Sequence, residues 1–470
     1  MKKPLSRYAE RSLSLAIVCA ATLVGILVRL IWLNRASGDY EHFLHPWCEY
    51  IQSHGGFAAV GQEFSNYTPP YLYLLVLITR LPISDLYGIK IVSFAFELGL
   101  AIMAAMIVNR AHRSSIWSSA AYALVWLAPT VILNGSALAQ CDSIYAFFLV
   151  LSIYLLMRGR YFWAFLSFAV GLAFKPQAIF LLPLFIAPIL KKEISPWYIL
   201  IIPAGYIAAM MPAVIAGRSL VDLLLFYLEY GGPGHLTLNS PAAFSWFCNL
   251  SYSGLFKALV VAGCVVALAI GAAQAKRVSR LMKTLDRPLG ISLLIAVVHA
   301  FFALTRPFAD LILMFSGKAS AYQALRALAP WVHRELTPAN VVLMAKIGTC
   351  IAGIVTCAVV YILSRARGGL LSSPARILHA ALLSVLIVPF VMPSMHERYF
   401  YAADVISIVF ALTLRRYYWV PVIVIMASLL GYVSYIKASH DIPLPYIAMA
   451  LGLTIITLVT DFLEEPETSK

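Results

Sequence analysis

Four short stretches carry residues able to do chemistry, and each interrupts an otherwise apolar chain. The first, SGDYEHFLHPW, sets Asp39, Glu41, His42 and His45 directly behind an apolar run that ends in LIWLN. NGSALAQCDS places Asn134, Gln140 and Asp142 where another apolar segment begins, and GLAFKPQ puts Lys175 between two more. The last, VMPSMHERYF, gathers His396, Glu397 and Arg398 in a tight turn behind Pro389 and Pro393. A carboxylate among such cations suits group transfer from a phosphate. One acid takes the proton of an attacking hydroxyl, and preorganised Lys, Arg and His donors take up the charge that develops on the leaving phosphate. Single-displacement transfer of a sugar from a lipid phosphate, inverting the anomeric carbon, fits these residue types.

Each stretch also has a plainer reading. Asp39 and Glu41 occupy a helix exit, where most acids are simply solvated, and Asp142-Ser143 reads equally as a helix start with an acid in its first turn. His396, Glu397 and Arg398 can pair with one another and snorkel to the membrane edge. His42, His45 and His54 match no common metal spacing, and HERYF has Phe400 where the HExxH motif needs its second histidine. Lys175 is the least ordinary. Positive-inside statistics do not favour a lysine at an outer helix end, so a bound anion is the expectation. Pro389 and Pro393 break the segment before the His-Glu-Arg turn, and broken backbone at membrane depth lines a cavity.

The elements that must position these residues are membrane helices. Hydrophobic residues make up 61% of the 470 and charged residues 12%, with a mean hydropathy of +0.85, far from the balance of a soluble domain. Ser12–Leu33 alone reaches ~33 Å, enough for a bilayer core of ~30 Å, and is too long for the apolar part of a cleaved signal peptide. Roughly 12 to 15 helices are expected from the apolar runs, in an all-α polytopic fold treated as one transmembrane domain over 1–470. Short interfacial helices are expected in the first outer loop, 34–68, and longer loops at 217–254 and 306–338.

The net charge of +14 concentrates in short loops such as Lys191-Lys192 and Arg415-Arg416, which orients the chain rather than signalling nucleic acid. With these loops inside, Pro69–Pro82 is expected not to cross, and the acids and histidines fall on the outer face. Residues 228–246, LEYGGPGHLTLNSPAAFSW, have the glycine content of a loop able to close over a ligand. Trp331, His333 and Arg334 suggest an interfacial helix. The seven cysteines are scattered, without a disulfide or zinc pattern.

The ordered set Asp39-Tyr40-Glu41, Tyr67-Thr68-Pro69-Pro70, Phe174-Lys175-Pro176-Gln177 and His396-Glu397-Arg398 resembles the GT-C superfamily of polyprenyl-phosphate-sugar-dependent glycosyltransferases. It is most similar to the glucosyltransferases that extend lipid-linked oligosaccharide and to bacterial proteins related to GPI mannosyltransferase II. The resemblance implies a GT-C fold, no metal and no cofactor. It also implies Asp39 as catalytic base, with His396 and Arg398 on the donor phosphate. Lys175 joins them by its own charge, and Tyr40, Glu41, Tyr67, Gln140, Asp142 and Glu397 are the substrate-placing candidates. Arg398 stands where those glucosyltransferases have lysine, and Thr68 separates Tyr67 from the prolines, so the sugar is not carried over.

The expected partners are a polyprenyl-phosphate sugar, a glycan or glycolipid acceptor and the bilayer, with no nucleic acid and a monomeric chain. The expected location is a bacterial inner membrane with the site facing the periplasm, the endoplasmic reticulum being the alternative. A multi-pass transporter or flippase is the competing reading, with Glu97 and His299 as its buried ionisable groups.

Overall fold

The computed structural model describes residues 7–230, 237–247, 338–365, 368–437 and 444–464. These residues are helical almost throughout, the one strand pairing being two residues long on each side. Seven helices among them are long and apolar enough to cross a membrane, or eight if a pair bent by 45° at Trp126–Pro129 counts as one span. Five further apolar helices run for only 10–17 residues. The apolar runs near 255–273 and 289–305, the loop at 306–338 and His299 lie outside the described residues, so the larger expected number of spans is neither reached nor excluded.

Two compact units divide the chain. The first comprises 1–232, 369–382 and 401–425, and the second 233–368, 383–400 and 426–470. In the first unit α1 (Arg7–Ile31) is followed by α2 (His45–Ser53), α3 (Pro69–Ile78), α4 (Asp85–His112), α5 (Ser115–Trp126) and the one-turn α6 (Pro129–Ile132). Then come α7 (Asp142–Met157), α8 (Tyr161–Phe174), α9 (Leu182–Leu190), α10 (Ile201–Ile215) and α11 (Leu220–Tyr230). The second contains β1 (Thr237–Leu238), α12 (Pro338–Arg365) and β2 (Met395–His396), with α16 (Leu444–Glu464). The unit boundaries fall inside α13 (Pro374–Val391) and α15 (Trp419–Lys437), while α14 (Tyr401–Leu414) belongs to the first.

Helix α3 has ten residues, a rise of ~15 Å, about half a bilayer core. The segment expected not to cross, 69–82, is thus a short helix followed by a turn. Its two leading prolines are well placed, since the first turn of a helix has no use for their missing N–H. The break at Gly55-Gly56 is also present, both residues having positive φ (79° and 68°), which glycine adopts without steric cost.

Hydrogen bonds sort the first unit into two ends. At one, Glu10 accepts from Ser114 (3.1 Å), Arg110 donates to the Met157 carbonyl (2.9 Å) and His112 meets the Leu412 carbonyl (3.0 Å). Glu193 accepts the backbone N–H groups of Leu370 and Leu371. The exposed Arg113, Arg158, Arg160 and Lys192 belong to the loops of this end. At the other end Lys90 donates to the carbonyls of Trp32, Leu33 and Arg35 at 2.6–3.0 Å. These carbonyls follow the end of α1, where an ammonium suits the negative pole of the helix.

Between the ends, Arg29 and Glu97 form a fully buried ion pair at 2.7 Å. Arg29 also donates to the carbonyls of Gly25 and Trp126 and lies 3.5 Å from the Trp126 ring centroid. Two glycines make room for this cluster. A Cβ on Gly25 would sit 1.9 Å from Trp126 Nε1, and one on Gly135 would sit 2.1 Å from Glu97 Oε1. Removing one partner strands the other charge in an apolar bundle. Arg29→Met is expected to cost about 3–5 kcal/mol, and adding Glu97→Gln to recover most of it, read by thermal or denaturant unfolding in detergent. An equal loss in the double variant would count against the pair as the cause.

Candidate functional site

The polar end of the first unit gathers most of the chemical residues. Gly38 and Asp39 begin a helix whose next turn, Tyr40–Leu44, is a π turn. There the His45 N–H reaches the Tyr40 carbonyl, one residue further back than in an α-helix. Ser37 fixes the start, receiving the Tyr40 N–H (3.2 Å) and donating its hydroxyl to the Leu138 carbonyl (2.7 Å). A second π turn, Leu133–Ala137, continues α6 on the facing segment. After it the chain turns through Ala139 at φ 53°. Gln140 is pinned there by its own backbone, its N–H on the Asn134 carbonyl (2.9 Å) and its carbonyl receiving Ser93 Oγ (2.8 Å).

The side-chain amide of Gln140 donates to Asp39 Oδ2. Asp39 is half-buried, whereas Asp142 is wholly buried. Asp142 accepts from Asn134 Nδ2 at 2.7 Å and from Lys175 Nζ. The two carboxylates therefore stand in different environments: one at the surface beside a neutral amide, the other in the interior beside a cation. Lys175, also buried, takes extended backbone between α8 and the short 3-10 turn that begins at Pro176. Its ammonium lies 5.4 Å from the Tyr67 ring centroid, within reach of a cation–π contact. Tyr67 in turn packs on Trp47 and Tyr71, and Thr68 donates to the Ala173 carbonyl (2.7 Å).

No protein-family model, curated protein or solved structure matches this chain. Function has to be read from the side chains. Asp39, Gln140, Asp142, Lys175 and Tyr67 form a connected set through Asn134 and the first-unit backbone. Lys175, expected to hold an anion, has Asp142 as one: the charge that looked out of place at an outer helix end is balanced by a carboxylate 33 residues earlier. Tyr40 is buried and its hydroxyl donates to Asp85 (2.8 Å), while Glu41 is exposed.

Asp85 was not among the sequence candidates. It opens α4, the ordinary place for an acid, so its residue type gave no signal. It also meets His45 Nδ1 at 2.6 Å, and His45 Nε2 lies 3.5 Å from Glu49. Donation to Asp85 raises the His45 pKa above the ordinary imidazole range, against the opposite pull of burial.

In the second unit, β2 runs parallel to β1, pairing Met395 with Thr237 and His396 with Leu238, and Asn239 bridges back to His396. Residues 237–240 are thus held against the His-Glu-Arg turn, and the glycines expected to make a closing loop lie at 231–234, outside the described residues. Glu397 is buried, takes Arg398 Nη1 at 2.8 Å and lies 3.9 Å from His396 Nδ1. Gly431 permits this packing, since a Cβ there would come within 2.7 Å of the Asn239 carbonyl. Asn239 also receives Ser434 Oγ at 3.3 Å. Neither Asn239 nor Gly431 was among the sequence candidates.

Two outcomes follow. Lys175→Met should cost about 3–5 kcal/mol by taking the Lys175 cation away from a buried carboxylate. Lys175→Met with Asp142→Asn should regain most of that loss in unfolding measurements. For His45 the sign runs toward acid. A folded-state pKa above the unfolded value gives stabilisation that is full below about pH 6.5 and fades as pH rises through the raised value. The gap in melting temperature between the wild type and His45→Gln should therefore be widest in acid and narrow toward alkaline pH.

Proposed function

We propose that this protein is an inverting glycosyltransferase. It would move a hexose from a polyprenyl-phosphate donor to a lipid-linked or envelope glycan at the extracytoplasmic face of a bacterial inner membrane. One observation carries the reading. Asp39 offers a half-buried carboxylate, oriented by the neutral amide of Gln140, at the bundle end opposite the basic loops. A general base for a water-facing hydroxyl needs access and a fixed direction, which partial exposure and the Gln140 amide supply.

In the step itself the acceptor oxygen attacks the anomeric carbon and its proton passes to Asp39. The bond from that carbon to the phosphate oxygen breaks on the opposite side, and the polyprenyl phosphate leaves with the electron pair. The GT-C resemblance assigns the growing charge of that phosphate to His396 and Arg398; in the first unit the Lys175 ammonium is paired with Asp142. Glu397 accepts from Arg398 and lies 3.9 Å from His396, which joins the two side chains of the turn. Tyr67 and Gln140 place sugars, with Tyr40 and Glu41 supporting the turn around the base; Asp142, expected to share that task, is wholly buried against Lys175 and acts through the scaffold. The GT-C resemblance of the four ordered motifs points the same way.

Buried ionisable groups in a transporter would be expected to face a substrate path, and Glu97 is instead committed to Arg29. The deciding assay uses purified protein in lipid nanodiscs, radiolabelled prenyl-phosphate hexoses and a native lipid extract as acceptor source. Asp39→Asn keeps an oxygen for Gln140 and removes the base. Transfer should drop by about 10²–10⁴-fold while donor binding persists. Near-normal turnover by that variant would take Asp39 out of the mechanism, and substrate flux into proteoliposomes without a covalent product would favour a transporter.

A further inference from the structure

The geometry points to Asp85 as a positioning residue: through Tyr40 and His45 it holds the π turn that aims Asp39 at Gln140. This rests on the proposed role of Asp39 and adds a residue that no motif marks. Residues five apart on an α-helix point about 140° away from each other. Tyr40 and His45 are five apart, yet they meet the two oxygens of one carboxylate, Tyr40 Oη on Oδ1 at 2.8 Å and His45 Nδ1 on Oδ2 at 2.6 Å. A π turn, whose hydrogen bond closes from i to i+5, brings such a pair onto one face. The carboxylate and the π turn therefore favour each other.

Asp85 is a firm post for this purpose. Its Oδ1 also accepts the Leu86 N–H at 2.9 Å and sits on the first turn of α4. That helix is tied to the end of α1 by Lys90 and by Tyr87, whose hydroxyl donates to Asn34 at 2.6 Å. Asp39 lies on the far side of the clamp, directly before Tyr40. Relaxation of the π turn to α spacing removes one residue from the winding, which turns everything before it by about 100° relative to α2. Asp39 would then leave the Gln140 amide. Ser37, bonded to Leu138, holds the chain from the other direction, so the acid is fixed between two anchors.

The test separates this claim from the proposed reaction. Asp39→Cys and Gln140→Cys are combined in a background free of native cysteines and joined with a short bifunctional thiol reagent. Cross-linking should slow several-fold when Asp85→Ala or Tyr40→Phe is added. Tyr40→Phe removes a single hydroxyl and keeps the buried ring, which separates loss of the clamp from general misfolding. Unchanged cross-linking in both would overturn the proposal.

In the otherwise native protein, transfer assays should show kcat falling on the order of 10²-fold for Asp85→Ala with donor KM little altered. Asp85→Asn, which retains one acceptor oxygen, should recover part of that loss. A raised KM at intact kcat would also overturn the claim. Absence of transfer by the wild type with every donor would remove the proposed function alone, because the cross-linking result decides the clamp without it.

Discussion

The pairing of Asp142 with Lys175 is the contact around which the polar end of the first unit is arranged. Both side chains are buried, and neither charge could stay in an apolar bundle alone. Meeting that requirement brings the start of α7 against the end of α8, with Asn134 drawn in on one side and the Tyr67 ring on the other. Tyr67 carries Trp47 and Tyr71 with it, and Thr68 closes the same join by bonding to the last turn of α8. The ion pair thus fixes the floor beneath the half-buried carboxylate, whatever ligand the surface above it takes.

Backbone economy explains the rest. Within lipid every N–H and carbonyl needs a partner inside the protein, which leaves little freedom to expose a catalytic side chain by simply unwinding a helix. The first unit uses a smaller departure. Two π turns, at Tyr40–Leu44 and Leu133–Ala137, keep the hydrogen-bond ladder closed while shifting which residues share a face. Ser37, Ser93 and Lys90 then satisfy carbonyls at the interrupted ends. Arg29 does the same in the interior for the Trp126 carbonyl, where α5 ends before the bend.

Much of this was legible in the sequence, in a particular sense. Apolar run lengths announced a helical membrane protein, the prolines and glycines located the short α3 and the break after Ser53, and the polar stretches named Asp39, Gln140, Asp142 and Lys175 before any coordinates. The pairing was not legible. Lys175 shows as a misplaced charge, but nothing in the intervening residues says that Asp142 answers it. Hydrogen-bond register is equally silent, because residue types that make an α turn also make a π turn. Asp85, at an ordinary acid position, and Asn239, in a glycine-rich neighbourhood, acquire meaning only from what lies across from them. Runs of apolar residues also fix length better than crossing, which is why several expected spans proved to be helices of 10–17 residues.

The contrast between the two aspartates bears most directly on chemistry. A carboxylate that is to accept a proton from a substrate must be reachable. Asp142, wholly buried, is paired with Lys175; Asp39, half-buried, takes the Gln140 amide. Gln140 links the two environments, with its side chain on Asp39 and its backbone on Asn134, the residue that donates to Asp142. The buried ion pair thus helps to fix the segment whose amide meets Asp39, so that packing in the interior and direction at the half-buried acid come from one scaffold.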